Sequence, residues 1–388
     1  MLNSATIELS KSALKKNISF LKKQIGEHVV FSSVIKGNAY GHGIAQFLPL
    51  AEECGIRHFS VFSIREAVQA FQFKRPDSHI MVMGYLDNED LRWAILNDVS
   101  FYVFELSRLE NALSKSKLLN KPARIHLEIE TGLNRTGLEK DELDKAVQLI
   151  KDNHAHFIVE GICTHYAGAE SVSNYLRIQN QIQSFNQQYD AVLKQGIHPK
   201  LKHTACSAAA LTYPETIMDM VRFGIAQYGF WPTKETQMHF FLKLREEQKK
   251  RLINPLKRVI SWKSRIMCVK NVKAGDFVSY GTSYMAQQDK KLAVVPVGYY
   301  HGFSRKLSNL GWVLVHGKRV PVVGSVNMNL MMIDISKIPQ AGKGDEVVMI
   351  GHQKKNHLTV GSFADMTQYL NYEVLVRLPA ETPRIVVD

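Results

Sequence analysis

Paired cysteines are missing from this chain. It holds four, Cys54, Cys163, Cys206 and Cys268, far apart and with no close pair. That spacing excludes a disulfide framework or a thiolate zinc centre and fits a reducing compartment, so no metal is expected. No run approaches 18 consecutive apolar residues, so no membrane-spanning helix is expected. Met1 to Leu9 has no basic stretch leading into an apolar core, which argues against a signal peptide and for a cytoplasmic protein. Nor is charge gathered into one patch. Lys and Arg outnumber Asp and Glu by 49 to 36, a net +13. The excess is spread along the chain and reads as solvated helix faces rather than a polyanion surface. The one basic cluster, Lys243 to Arg251, reads as a charged helical link between domains. A nucleic-acid or acidic-partner patch is the alternative, and no nucleic-acid partner is expected.

What is present is enough chain for two domains. The 388 residues are 45% hydrophobic and 22% charged, a composition that argues against disorder. Ala5 to Leu9 reads as a short strand. Ser10 then precedes a helix with Leu14, Ile18, Leu21 and Ile25 on one face. Strand-like runs follow near 29–35, 57–62, 79–83, 100–104, 123–129, 158–164, 201–206 and 219–223, with helical segments between them. The clearest helix is 173–195, with a stripe of Tyr175, Ile178, Ile182, Phe185, Tyr189 and Val192. Eight strand–helix repeats over roughly 230 residues fit a (β/α)8 barrel, with a doubly wound sheet as competitor. Residues 236–254 read as a charged insertion. From about 255 the apolar period changes to two, and short strands with Gly, Asn and Asp turns predict a mostly β domain. Its strands are expected over Ser261–Val272, Leu292–Val297, Trp312–Val315, Pro321–Val326, Met331–Ile335 and Glu346–Ile350. The expected division is 1–235, 236–254 and 255–388, with residues 1–9 as a possible strand of the second domain.

Barrel chemistry collects at the C-terminal ends of strands. The first such end is Lys36, in Val34-Ile-Lys-Gly-Asn-Ala-Tyr-Gly-His-Gly43. A lysine at the tip of an apolar strand either reaches out to solvent or serves as a Schiff-base lysine with a lowered pKa. Other ends carry Glu128, Glu130 and Arg135; Thr164-His165; His203 and Cys206-Ser207; and Arg222 with Gly224-Ile225. Each alone has a structural explanation: a core histidine, a buried ion pair, a turn glycine. Five ends together point to a site.

These segments resemble the alanine racemase family of fold-type III pyridoxal-phosphate (PLP) enzymes. The likeness covers nearly the whole chain. It runs through the Lys36 motif, Thr131-Gly-Leu-Asn-Arg135, Thr164-His165, Met220-Val-Arg-Phe-Gly-Ile225, Val278-Ser-Tyr-Gly281 and Asn371-Tyr-Glu-Val374. The resemblance implies a homodimer with composite active sites, a barrel and a β domain. Lys36 would hold PLP and act as one base; Tyr280 of the partner subunit would be the second. Tyr40, Ser207, Gly224, Ile225 and Tyr372 would hold the phosphate, and Arg222 would face the pyridine nitrogen with His203 behind it. Arg135 and Met328 would serve the substrate carboxylate. His165 would support Tyr280, and Tyr299 would line the entrance.

Three positions depart from the family pattern. Cys206 stands where an asparagine is usual, Asn329 where an aspartate is usual, and Glu128 where many members carry a carbamylated lysine. Glu128 is read as a built-in carboxylate for Arg135; Asn329 and Cys206 could open the site to other amino acids. The expected activity is interconversion of L- and D-alanine, supplying D-alanine for peptidoglycan. The alternatives are a broad-specificity or serine/lysine racemase, or a non-catalytic PLP-binding protein.

Overall fold

A computed structural model describes residues 4–243 and 254–388. It forms a barrel domain and a mostly β domain. By compactness the chain divides into one unit of the described residues up to Ser12, Gly37–Phe47 and Arg258–Asp388, and a second of Ala13–Lys36 and Leu48–Lys257. Residues 244–253 of the expected insertion, with most of the basic cluster, lie outside the described residues. No described helix is long and apolar enough to cross a membrane.

The second unit is the barrel. Eight parallel strands follow one another around it: β2 (Val30–Val34), β3 (His58–Val61), β4 (His79–Val82), β5 (Ser100–Val103), β6 (Ala123–Glu128), β7 (Phe157–Cys163), β8 (Leu201–His203) and β9 (Met220–Phe223). β9 returns to pair with β2. β8 and β9 meet through an isolated bridge between Cys206 and Arg222 rather than a full ladder. Strands covered on both faces have no polar side to present, which is why β5 and β9 are buried throughout. The helix Tyr175–Lys194 packs through Ile178, Gln181, Phe185 and Val192, spaced by three, four and seven. Tyr175, expected on that stripe, is instead 54% exposed, because it sits at the helix start beyond the covered turns.

The first unit holds a ten-stranded sheet in the order β11-β12-β15-β14-β13-β16-β10-β1-β18, with β17 added beside β16. β1 is Ala5–Ser10, β10 Ile260–Arg265, β11 Cys268–Val272, β12 Lys290–Val295, β13 Trp312–Val315 and β14 Lys318–Val323. β15 is Met331–Asp334, β16 Glu346–Gln353, β17 Asn356–Leu358 and β18 Arg384–Val387. The run expected as one strand over Ser261–Val272 breaks after Arg265. Its halves pair with different neighbours, β10 with β1 and β16, β11 with β12.

Candidate active site

Lys36 stands at the end of β2, and the carbonyl two residues before it is held twice. Gln227 Nε2 donates to Val34 O at 3.0 Å and the Tyr228 hydroxyl donates to the same oxygen at 2.9 Å. Gln227 also accepts from the Ser33 hydroxyl at 2.8 Å, and its own carbonyl receives Asn17 Nδ2 at 3.0 Å. The last turn of β2 is therefore fixed by side chains as well as by its ladder. Beyond Lys36 the backbone turns left-handed at Gly37, Asn38 and Ala39, with φ of 62°, 53° and 54°. Tyr40 follows at 51° and Gly41 at 77°. Left-handed non-glycine residues cost roughly 1–2 kcal/mol each, so such a run persists only where its surroundings impose it. At Gly41 the chain leaves no room for a side chain: a Cβ there would fall 2.0 Å from Leu375 O. Arg384 Nη2 holds the Gly41 carbonyl at 2.9 Å.

Arg222 is buried and its two terminal nitrogens are fully engaged. Nη1 donates to His203 Nδ1 at 2.7 Å and His203 O at 3.0 Å, and Nη2 to Thr164 O at 2.9 Å and Thr204 O at 3.1 Å. Nε stays outside these bonds. His203 Nε2 in turn meets His126 Nδ1 at 2.9 Å. Gly161 lies between the two rings. A Cβ on it would come within 2.4 Å of His126 Nδ1, so only glycine leaves room for the pair. Ser207 opens the short helix Ser207–Thr212, and its hydroxyl accepts from Gly224 N at 3.0 Å. Ile225 is buried immediately after.

The electrostatics bind these strand ends into one site. Lys36 opens to solvent, yet the protein packed around its ammonium lowers its pKa, and Arg135 lowers it further. Glu66 and Cys206 oppose that, and Arg222 adds to it. His165 is pushed down to about 3 by burial and then by Arg222, Arg135 and Lys36, so its ring is neutral. Burial raises the pKa of Glu128, which is only 4% exposed; the Thr136 hydroxyl, Arg222 and Arg135 pull it back. Glu128 makes no ion pair within 4 Å among the described residues, so its link to Arg135 is through the field rather than a direct pair. Lys36, Arg135, His165, Cys206, Glu128, His203 and Arg222 are thus brought together at the C-terminal end of the barrel.

The first unit presents a second group. The Tyr40 and Tyr372 rings lie 5.9 Å apart. Tyr280 is 75% exposed and follows Ser279, a left-handed residue at φ 69°. The Ser279 hydroxyl donates to Ser325 O at 3.0 Å and to Asn327 Oδ1 at 3.2 Å, tying that turn to the loop before Met328 and Asn329. Tyr299 N and Tyr300 N close the group by donating to Asn327 O and Met328 O, each at 3.0 Å. Tyr280, Tyr299, Met328 and Asn329 therefore share one exposed edge of this unit.

Several positioning residues carry no motif. Gln181 accepts from Ala167 N at 2.8 Å and donates to His165 O at 3.1 Å and to the Thr131 hydroxyl at 3.2 Å, clasping the loops that follow β7 and β6. In the sequence it is one polar residue on an apolar helix stripe. Gln227 and His126 were equally unmarked.

Two family models match the chain: alanine racemase, N-terminal domain, over residues 9–232, and alanine racemase, C-terminal domain, over 259–386. An alanine racemase of Leptospira interrogans is 35% identical over 387 residues, covering 99% of this chain and 96% of that protein. One of Anoxybacillus flavithermus is 34% identical, covering 97% and 93%. Among solved structures, the alanine racemase of Bacillus anthracis with bound L-Ala-P superposes with a TM-score of 0.89 at 28% identity, covering 100% of this chain and 96% of that one. That of Streptomyces lavendulae gives 0.88 at 28%, covering 99% and 97%.

Proposed function

This chain belongs to the alanine racemase family and is an amino-acid racemase, and from that premise we propose that it interconverts L- and D-alanine with PLP by a two-base mechanism. The observation that carries the proposal is Lys36, its pKa lowered, at the tip of β2 in the field of Arg135 and Arg222. A lysine so placed is neutral more readily than a free one, as imine chemistry and proton abstraction both require.

The residues present fit the cofactor. Lys36 would hold its carbonyl carbon, and Arg222 Nε, outside the bonds that fix the guanidinium, would face the ring nitrogen. Ser207, Gly224 and Ile225, with Tyr40 and Tyr372, would hold the phosphate. PLP, when bound, acidifies the Cα–H of an amino acid attached to it. Lys36 removes or returns the Cα proton on one face, and Tyr280 of the partner subunit does so on the other. Two fixed bases keep good geometry for both transfers, which one swinging base does not. Arg222 cannot readily give up its proton, so beside the ring nitrogen of bound PLP it would leave that nitrogen unprotonated and temper electron withdrawal. That favours prompt return of the proton over transamination or decarboxylation. Arg135, in the field of Glu128, orients the substrate carboxylate with the backbone at Met328, and Tyr299 of the partner subunit lines the way in. His165, neutral, supports Tyr280 by hydrogen bonding rather than by charge.

In this reading the enzyme is a cytoplasmic homodimer that supplies D-alanine for peptidoglycan. The test is a chiral assay of D- and L-alanine with the PLP-loaded enzyme, beside Lys36→Ala. The variant is expected to lose both turnover and the visible absorbance that survives desalting; retained absorbance overturns the lysine assignment. Cys206, bridged to Arg222 and felt by Lys36, favours a second reading, a broader or serine/lysine racemase. A panel of amino acids decides, since a dominant rate with serine or lysine sinks alanine as the substrate.

A further inference from the structure

A cavity of about 1110 Å³ opens at the N-terminal end of the barrel, away from Lys36. Its lining includes the strand starts Val30, His58, His79, Ser100 and Leu201. Its lining mixes charged side chains with an apolar portion that includes Ile18, Val29, Phe31 and Ile80. The carboxylates at its mouth are largely answered: Glu160 by Arg124 at 2.6 Å and Lys200 at 3.2 Å, Asp98 by Lys121 at 2.7 Å. Lys15 and Lys23, on the first helix, line it without an ion pair among the described residues, and Glu27 and Glu53 are also in the lining.

The cavity reaches His126, and the hydrogen-bond chain beyond it fixes what that ring presents. Arginine only donates. Arg222 Nη1 at 2.7 Å from His203 Nδ1 therefore makes that nitrogen the acceptor, and His203 carries its proton on Nε2. That proton is donated to His126 Nδ1 at 2.9 Å. His126 is then left with its proton on Nε2, the nitrogen remaining for the cavity. Both rings are held neutral, chiefly by burial. His58 stands beside it with Nδ1 on the Ser32 hydroxyl at 2.9 Å. The floor thus offers an N–H donor, the walls offer apolar surface, and the mouth carries two unanswered ammonium groups.

We propose that this cavity is a ligand site for an amphipathic carboxylate, its apolar body against Ile18, Phe31 and Ile80 and its carboxylate accepting from His126 Nε2–H. The lysines at the mouth draw the anion in. Because His126 is joined through His203 to Arg222, occupancy polarises the donor that faces the reacting end of the barrel. That coupling rests on the racemase reading above; the binding site does not.

Octanoate is the probe, titrated by calorimetry into the full-length, PLP-loaded protein, with 1-octanol as the headless control. One saturable site per chain is expected for octanoate. The alcohol should bind at least about tenfold more weakly, as the loss of a charge-assisted hydrogen bond implies. Ile80→Trp, which fills the cavity, should abolish binding. Lys15→Glu with Lys23→Glu should weaken it at least about threefold in low salt, a difference that added salt erases. In 15N-histidine spectra the His126 Nε2 signal should move on binding. No saturable site, equal binding by Ile80→Trp, or an unmoved His126 signal each overturn the proposal. If Ile80→Trp does not fold, the lysine variants and the His126 signal decide. Octanoate should also change kcat for alanine while leaving KM in place. Binding without that change overturns the coupling alone, and an inactive enzyme that still binds octanoate overturns the racemase reading alone.

Discussion

Arg222 Nη1 lies 2.7 Å from Nδ1 of His203, inside the barrel and out of reach of water. The guanidinium also serves three carbonyls, those of His203, Thr164 and Thr204. It is a structural clamp across β7, β8 and β9 as well as the residue assigned to the cofactor ring. Arg222→Met is therefore expected to leave four buried acceptors unanswered, at about 1–3 kcal/mol for each group that finds no substitute. Urea unfolding of the apoprotein at pH 7.5 checks this. A midpoint equal to that of the native sequence would show that the clamp contributes nothing to stability. His203→Leu removes one acceptor while the arginine keeps three, so the smaller loss is expected there.

The neutral histidines give the fold a defined acid limit. His42 is wholly buried, donates from Nδ1 to Tyr40 O at 2.9 Å, and is pushed down to about 4 by burial. His126 and His203 are held well below the ordinary histidine range by burial first; His58, Arg222 and Arg124 add to it at His126, and Arg222, His126 and His58 at His203. In the unfolded chain all three titrate near ~6.5. Below that pH the unfolded state binds protons that the native state refuses, so stability falls as pH falls and is level above it. The expected slope is up to about 1.4 kcal/mol per pH unit for each such histidine, between roughly pH 6.5 and the folded values. Denaturant midpoints measured from pH 8 to pH 5 check it; a flat profile across that range contradicts the burial of these rings.

Gln181 joins the loops after β6 and β7 by three hydrogen bonds, one of them to the carbonyl of His165. Gln181→Leu keeps the volume and removes all three. The expected cost is about 1–3 kcal/mol of stability for buried groups left unpaired. Because His165 is set by this clasp, kcat should fall more than KM changes. Steady-state kinetics beside thermal unfolding separate the two effects, and an unchanged kcat would confine Gln181 to a structural role.

Most of the barrel was legible because its strands are short runs, largely apolar and buried, set at regular spacing between helical segments, and parallel strands covered on both faces leave that trace. All eight expected runs contain or overlap observed strands. The strand ends carrying Lys36, Arg135, His165, His203 and Arg222 were legible for the same reason: a polar residue ending an apolar run stands out. Other features left no mark. A glutamine on an apolar helix stripe reads as an interruption, so Gln181 passed unnoticed until its partners were in place. His126 lies inside β6 and gains its meaning from Gly161 across the ladder, a relationship between strands that one strand cannot reveal. The glycines after Lys36 announced a turn, but Ala39 and Tyr40 are poor candidates for left-handed geometry. Their left-handed geometry belongs to the folded chain, and no local signal in the sequence announces it.

Glu128 gives the sharpest test of how this chain departs from its relatives. Expected as a direct partner for Arg135, it instead takes a hydrogen bond from the Thr136 hydroxyl and acts on Arg135 and Arg222 through the field. Its raised pKa shows that burial opposes the charge, so the charge is retained at a cost to stability. Glu128→Gln keeps the shape and the Thr136 contact while removing the charge. Stability should be unchanged or slightly improved. Through the field alone Glu128 also repels the substrate carboxylate, so removing its charge should lower KM for alanine about threefold to tenfold, the scale of one screened charge interaction, with kcat little changed. Steady-state kinetics at pH 8 check both. If KM and kcat match those of the native sequence, Glu128 plays no part in holding the substrate. If kcat falls with KM unchanged, its field acts on Arg222 rather than on Arg135.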